Sequence, residues 1–375
     1  MRNKLAAIAI LGAAVAATSA QAEDIRIGVI AGFSGPGTSY GIGIRQGAEM
    51  AVKEINAEGG IDGRKLELVV VDDGSNPGQS VTAMQRLIND KVDLIVGGWG
   101  SSQVLAAMEP AERAGMPYVV VGASNPRITT EKNKWTFRVL QSDTLQAEEV
   151  ADIALKRLGL KRIAVIHDAN DYGVSNRESF VARMKKLGVD PVEVQVYQTT
   201  DKDFTAQLTR IRASNPDGLA IFGTIPAAPA IMNQAREIGI KAQFLGTTGI
   251  ANENLITLAP KASEGTIFAT MFHEDVDPEA RKWSDRYVKA FSGGSQPPRP
   301  VLAAWEYRAI KFIVAPCLKK AGTDKDKFRS CLTTWKGRIF GLPNEAYFDK
   351  TNHLVQQSVI VQVGGGEFRA YKGDK

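Results

Sequence analysis

What most limits this chain is a rhythm: short apolar runs of strand length alternate with longer stretches of helical period, and the alternation is played twice. Ile25 to Ile30 (IRIGVI), Leu66 to Val71, Leu94 to Val96 and Tyr118 to Val121 are apolar and rich in β-branched residues, which predicts buried strands. Between them, Gly41 to Asn56 puts Ile44, Ala48, Ala51, Val52 and Ile55 on one helical face. Pro77 to Asn89 opens with a helix-starting proline, and Ser102 to Ala114 is helical. After Ser142 the rhythm restarts. Leu145 to Leu158, Tyr172 to Leu187, the segment holding Phe204, Leu208 and Ile211, and Ala227 to Ile238 read as helices. Arg162 to His167, Val192 to Tyr197, Gly218 to Phe222 and Gln243 to Gly246 read as the strands among them. Strands alternating with helices of this length build βαβ units and parallel sheets. The expected fold class is α/β, with two Rossmann-like, doubly wound lobes. Each run is domain-sized, at roughly 120 to 130 residues.

From about His273 the pattern changes. Pro278 to Phe291 and Arg299 to Ala321 are helical, and Gly337 to Phe340 and Val355 to Val363 are strand-like. This tail is expected to complete the first lobe with its helices and to return to the second with its last strands. No repeat relates the lobes in sequence.

The N-terminus is an address. Arg2 and Lys4 precede an apolar stretch from Leu5 to Ala17, and Ala20-Gln21-Ala22 is an A-x-A cleavage site. The apolar stretch is about 13 residues, short of the roughly 20 that a membrane-spanning helix needs. Residues 1–22 are therefore read as a signal peptide cleaved after Ala22, and the protein as exported. No Cys follows the small residues to take a lipid. Removing 22 of 375 residues, with their two cations, takes the net charge from +5 to +3 and leaves 353 residues. Charges of both signs are mixed, which gives no reason to expect a nucleic-acid partner. Export places Cys317 and Cys331 in an oxidising compartment, which favours a disulfide over two free thiols. Closing that loop of 14 positions would contribute about 3 kcal/mol in the chain-entropy model.

Ligands of open parallel sheets sit outside the C-terminal ends of the strands. The loops there are Phe33 to Tyr40, Gly97 to Ser102, Gly122 to Asn125, His167 to Gly173, Gly223 to Pro226 and Gly246 to Gly249. They are rich in Gly, Ser and Thr, with a Tyr or Trp in several. Such loops make turns and caps, and they also present N–H groups and hydroxyls to an anion. Enzyme signatures are thin. Gly41 to Gly47 is G-x-G-x-x-x-G, one residue off the dinucleotide fingerprint. His273-Glu274-Asp275 could touch a metal, but an exposed turn is the expected reading, and no metal or cofactor is expected. Asp168 and Asp171 are the main titratable groups in the loops, fewer than a catalytic centre needs. The chain is read as not an enzyme.

The runs SGPGTSYG, IRQGAEMAVKEINAEGGIDGRKLELVVVDDGSNP, VGGWGSS, GASNP, HDANDYG, DFTAQLTRIR and FLGTTGIANENL resemble the periplasmic leucine/isoleucine/valine-binding family over nearly the whole mature chain. EINAEGGIDGRKLEL followed by DD is quite specific to it. These are solute receptors of ABC importers with the type 1 periplasmic binding fold, two lobes joined by a three-strand hinge. The resemblance implies crossings near Val139 to Ser142, Ala269 to Phe272 and Asp349 to His353. Lobe one would be 23–141 plus 272–350, and lobe two 142–271 plus 351–375. It implies a monomer that closes over a small carboxylate and docks on an inner-membrane permease. It also implies the ligand contacts. The carboxylate would lie on Ser101 and Ser102, with Gly122, Ala123, Ser124 and Tyr40 beside it and Tyr172 across the cleft. Two departures stand out. The acid that pairs with a ligand ammonium in amino-acid receptors is Thr248 here, and a second lobe-two Tyr is Thr224. Losing one partner of a buried ion pair costs about 3–5 kcal/mol, two orders of magnitude or more in affinity. Asp171 or Glu253 could stand in, though neither is at the expected position. Trp99 takes a wall position that is usually aliphatic; it either faces a planar ligand or packs within lobe one. The expected ligand is an aromatic or other organic acid, with a hydrophobic amino acid as runner-up and amides or urea behind. A receptor for a sensor kinase or chemoreceptor on the same fold is the alternative to transport.

Overall fold

The computed structural model describes residues 23–291, 301–342 and 344–371. The expected signal peptide lies outside the described residues, as does the start of the helix expected from Arg299. The first run of the rhythm forms β1 (Ile25–Ala31), α1 (Thr38–Ala57), β2 (Leu66–Asp72), α2 (Pro77–Asn89), β3 (Leu94–Gly97), α3 (Ser101–Arg113), β4 (Tyr118–Val120) and β5 (Thr136–Arg138). Their strands make a five-stranded parallel sheet in the order β2-β1-β3-β4-β5. Alternate residues of β1 serve opposite faces: Ile25, Ile27 and Val29 join the core under α1, and Ile30 joins the core under α2 and α3.

The second run forms α4 (Asp143–Asp152), β6 (Ile163–Asp168), α5 (Asp171–Lys186), β7 (Glu193–Tyr197), α6 (Thr205–Ala213), β8 (Gly218–Phe222), α7 (Ala227–Glu237), β9 (Gln243–Gly246), α8 (Asn254–Leu258) and β10 (Ile267–Thr270). Then come α9 (Pro278–Phe291), α10 (Val301–Arg308), α11 (Ala315–Ala321), α12 (Lys325–Thr334), β11 (Lys336–Gly337), β12 (Ala346–Phe348), β13 (Leu354–Val355), β14 (Val359–Gly364) and β15 (Glu367–Ala370). The second sheet is seven-stranded, β15-β14-β10-β9-β8-β6-β7, with β14 and β15 antiparallel. The chain thus returns to the second sheet at its end, as the tail's strand pattern predicted. The strand expected at Gly337 to Phe340 overlaps β11 only at Gly337, and the one expected at Val355 to Val363 is split into β13 and β14; β12 and the hairpin turn at Gly365-Gly366 were not anticipated. Two-residue strands carry too little periodicity to be read.

The G-x-G-x-x-x-G run lies inside α1, not in a phosphate loop. A Cβ on Gly47 would fall 2.3 Å from the Ala303 carbonyl oxygen, so this glycine lets α10 pack backbone-close against α1. His273-Glu274-Asp275 is not the exposed turn expected. His273 and Glu274 are buried, and Arg281 pairs with both acids. No metal-holding cluster occurs among the described residues. Cys317 and Cys331 are disulfide-bonded and staple α11 to α12, with Cα atoms 5.6 Å apart. The sheets are joined by passages after β5, after β10 and between β13 and β14. The last falls at Gln356 to Ser358, a few residues beyond 349–353. There Gln356 donates to the Val139 carbonyl and Ser358 to Gln141, tying two passages together.

Candidate functional site

The C-terminal ends of the two parallel sheets face each other across a cavity of about 390 Å³. Lobe one supplies the loops after β1 to β4 and the side chains of Leu302 and Trp305 from α10. Lobe two supplies the loops after β6 to β9. Tyr40, Trp99, Ser101, Ser102, Gly122, Ser124, Tyr172, Thr224 and Thr248 all line it. Ala123 does not; its methyl is 1% exposed and packs into the core under α3.

On lobe one the decisive feature is the start of α3. Its N-cap is Gly100, which has no side chain to accept the first-turn N–H groups. By contrast α2, α4 and α5 are capped by the side chains of Asn76, Ser142 and Asn170. The open α3 terminus carries the positive end of a 13-residue helix to the cavity wall. Ser101 begins α3, 2% exposed, and its hydroxyl oxygen accepts from the Asn125 N–H at 3.2 Å, leaving its own proton to donate. Trp99 packs within lobe one and also lines the cavity; its ring rests where a Cβ on Gly37 would fall, 2.3 Å from its nearest ring atom. Tyr40 stacks on it at 5.2 Å between centroids, 14° from parallel.

On lobe two the polar groups are largely occupied. The Tyr172 hydroxyl donates to Thr247 Oγ1 and accepts from the Gly249 N–H, both at 2.8 Å. Thr247 in turn donates to Asn176. The Thr248 hydroxyl bonds Gln146, whose amide also accepts from the Thr248 N–H. Tyr40 reaches over from lobe one, donating to the Gly249 carbonyl and accepting from the Ile225 N–H, each at 2.8 Å. Burial pushes the Tyr40 and Tyr172 phenols above the usual range.

No charged side chain lines the cavity among the described residues. Asp171 is not among the lining residues, its carboxylate being bonded to Ser102 and Arg127, and Glu253 is likewise absent from the lining. One layer beneath, Asp143 is fully buried, with its N–H on the Ser124 carbonyl at 2.9 Å and the Ser175 hydroxyl on its carboxylate. Burial pushes its carboxyl up to about 6, against the hydroxyls of Ser124 and Ser175 and the charge of Arg138. Arg138 holds the same loop by donating to the carbonyls of Ser124 and Asn125 at 3.0 and 2.6 Å.

Residues 24–367 match the model of a family described as "Periplasmic binding protein". The chain belongs to this family. The leucine-, isoleucine-, valine-, threonine- and alanine-binding protein of Pseudomonas aeruginosa is 31% identical over 332 residues, 87% of this chain and 86% of that one. Among solved structures, the branched-chain amino acid transporter substrate binding protein of Streptococcus pneumoniae in complex with isoleucine is 26% identical. It superposes with a TM-score of 0.84 over 92% of this chain and 98% of its own. A solute binding protein of an ABC transporter from Rhodopseudomonas palustris BisB5, in complex with 3,4-dihydroxy benzoic acid, shares the fold with a TM-score of 0.82, 24% identity and coverage of 92% and 95%.

Reading the sequence missed several lining groups of this periplasmic binding protein. Ser75 to Pro77 follow β2, and Thr199 and Thr200 follow β7. The strand-end rule, applied to those two strands as well, would have found them. Leu302 and Trp305 come from a helix of another part of the chain, and nothing local to them signals a cleft.

Proposed function

We propose that this protein is a periplasmic receptor of an ABC importer that takes a small organic acid lacking an α-ammonium group. It closes two lobes over the solute and passes it to an inner-membrane permease as a monomer. The observation that carries the reading is the cavity's charge pattern: an uncapped helix N-terminus on one wall and, among the described residues, no charged side chain in the lining. A carboxylate can be held by helix N–H groups and a serine hydroxyl alone. An ammonium group buried beside Thr248 would lack a counter-charge. The stacked Trp99 and Tyr40 favour a flat acid.

A thermal-shift screen with matched pairs tests this. Phenylalanine is set against 3-phenylpropionate and leucine against 4-methylpentanoate, with benzoate, urea and acetamide alongside. A solute at about 100 times its Kd adds about 2.7 kcal/mol of stability. Stabilisation by the deaminated acids alone supports the reading. Stabilisation by leucine, the kind of ligand named for the Pseudomonas relative, overturns it.

A further inference from the structure

We propose that Asp171 is a clasp: it holds the cleft shut through protein contacts alone and withdraws the Ser102 hydroxyl from the ligand. The inference rests on the chain being a cleft-closing receptor, not on which solute it takes.

Asp171 opens α5 on lobe two, yet its polar groups meet lobe one. Ser102 Oγ donates to its Oδ2 at 2.7 Å, and its own N–H donates back to Ser102 Oγ at 3.2 Å. Its carbonyl accepts from Asn125 Nδ2 at 2.9 Å. Its Oδ1 pairs with the Arg127 guanidinium at 3.2 Å. The lobe-one half of this contact is pre-set. Asn125 Oδ1 accepts from the Arg127 N–H at 2.9 Å, capping a short turn, which fixes the amide so that its Nδ2 faces lobe two.

Two consequences follow. A hydroxyl has one proton, and that of Ser102 is given to Asp171, so Ser102 has none left for an anion in the cavity. Carboxylate recognition then falls to Ser101 and the first-turn N–H groups of α3. Second, closure does not need the solute to bridge the lobes. A charge-assisted bond and an ion pair already do so. The ion pair is open to solvent, with the Arg127 and Asp171 side chains 66% and 35% exposed, so salt should weaken it.

Small-angle scattering of the full mature protein, stripped of co-purified solutes by dialysis, reads the closed fraction directly. At about 20 mM NaCl the wild type should be more compact than at about 500 mM, where charges beyond a few ångströms are screened. Asp171→Ala should lower the ratio of closed to open forms about tenfold and flatten the salt response. Arg127→Ala, at an exposed position outside the cavity, should flatten the salt response with a smaller expansion. The exchange Asp171→Arg with Arg127→Asp should restore part of the compaction. Equal radii for wild type and Asp171→Ala at low salt overturn the clasp. A variant that scatters like wild type but loses the thermal stabilisation that a solute gives the wild type overturns it too, because Asp171 would then be a solute contact. Asp171→Ala trims the first turn of α5, so an unchanged α-helical circular dichroism signal is required of each variant. Arg127→Ala, in the short 3-10 turn Pro126–Ile128 and outside every α-helix, carries the test if that signal falls.

Discussion

The two walls of the cleft are built from the same kind of strand-end loop but spend their polar groups differently. On lobe one, α3 starts at the cavity wall without a side-chain cap, beside a serine with a proton to give. On lobe two, Tyr172, Thr247, Asn176, Thr248 and Gln146 form closed hydrogen-bond chains that leave little for a solute. A buried polar group that is already paired keeps the wall rigid, and one left unpaired costs energy until a ligand arrives. The difference assigns recognition of charge to lobe one, and shape and closure to lobe two.

The largest expected effect comes from attacking the lobe-one wall. Ser101→Asp places a carboxylate at the start of α3, where the helix dipole tolerates it, and where a ligand carboxylate would otherwise lie. Binding of whichever acid the thermal-shift screen identifies should weaken by about 100-fold or more, as expected when like charges meet in a desolvated site. Isothermal titration would measure it; a change of less than about tenfold would show that charge is not read at α3.

Next is the layer that both walls share. Asp143 touches the Ser124 loop on one side and Ser175 on the other, with its carboxyl raised to about 6. The folded state therefore holds this proton longer than the unfolded chain does. That contribution to stability is complete at pH below about 4 and is lost as pH climbs to about 6, up to about 3 kcal/mol in all. Denaturant melts of Asp143→Asn from pH 4 to pH 7 should lack this decline. A parallel decline in both proteins would place the titration elsewhere.

A smaller effect should come from restoring an acid to lobe two. Thr248→Glu would offer an ammonium partner at the cavity wall. It should shift the ratio of leucine to 4-methylpentanoate affinity toward leucine by about tenfold or more. The ratio matters here, because the lost Thr248–Gln146 bond lowers both affinities alike. An unmoved ratio would mean that lobe two does not decide whether an amino group is accepted.

How much of this was legible depends on the range over which each signal acts. The alternating strands and helices of both lobes were readable because their patterns span whole elements, as with Ile44, Ala48 and Ile55 on the buried face of α1. Most of the lining could be named because strand ends in parallel sheets converge on one edge. Trp305 could not, since only the packing of α10 on α1, allowed by Gly47, brings it to the cavity. That Trp99 packs on Gly37 was likewise not legible, because Gly37 lies in a distant loop. Nor could the partners of Ser102 and Tyr172 be read: the first lies 69 positions away at Asp171, the second 75 away at Thr247.

That last pairing gives the smallest effect and the sharpest contrast. The family resemblance puts Tyr172 against the ligand, and its ring does line the cavity. Its hydroxyl, however, is used up inside lobe two, donating to Thr247 and accepting from Gly249. Tyr172→Phe keeps the ring and removes only these two bonds. It should leave solute affinity within about threefold, since no bond to the ligand is lost, while costing about 1–3 kcal/mol of stability for the Gly249 N–H stripped of its acceptor. The Tyr172→Ala change should weaken binding more, because the wall itself goes. If Tyr172→Phe lost affinity as heavily as Tyr172→Ala, the hydroxyl would have to turn toward the solute when one is bound. Lobe two would then read polar groups as lobe one does, and the division between the walls would fall.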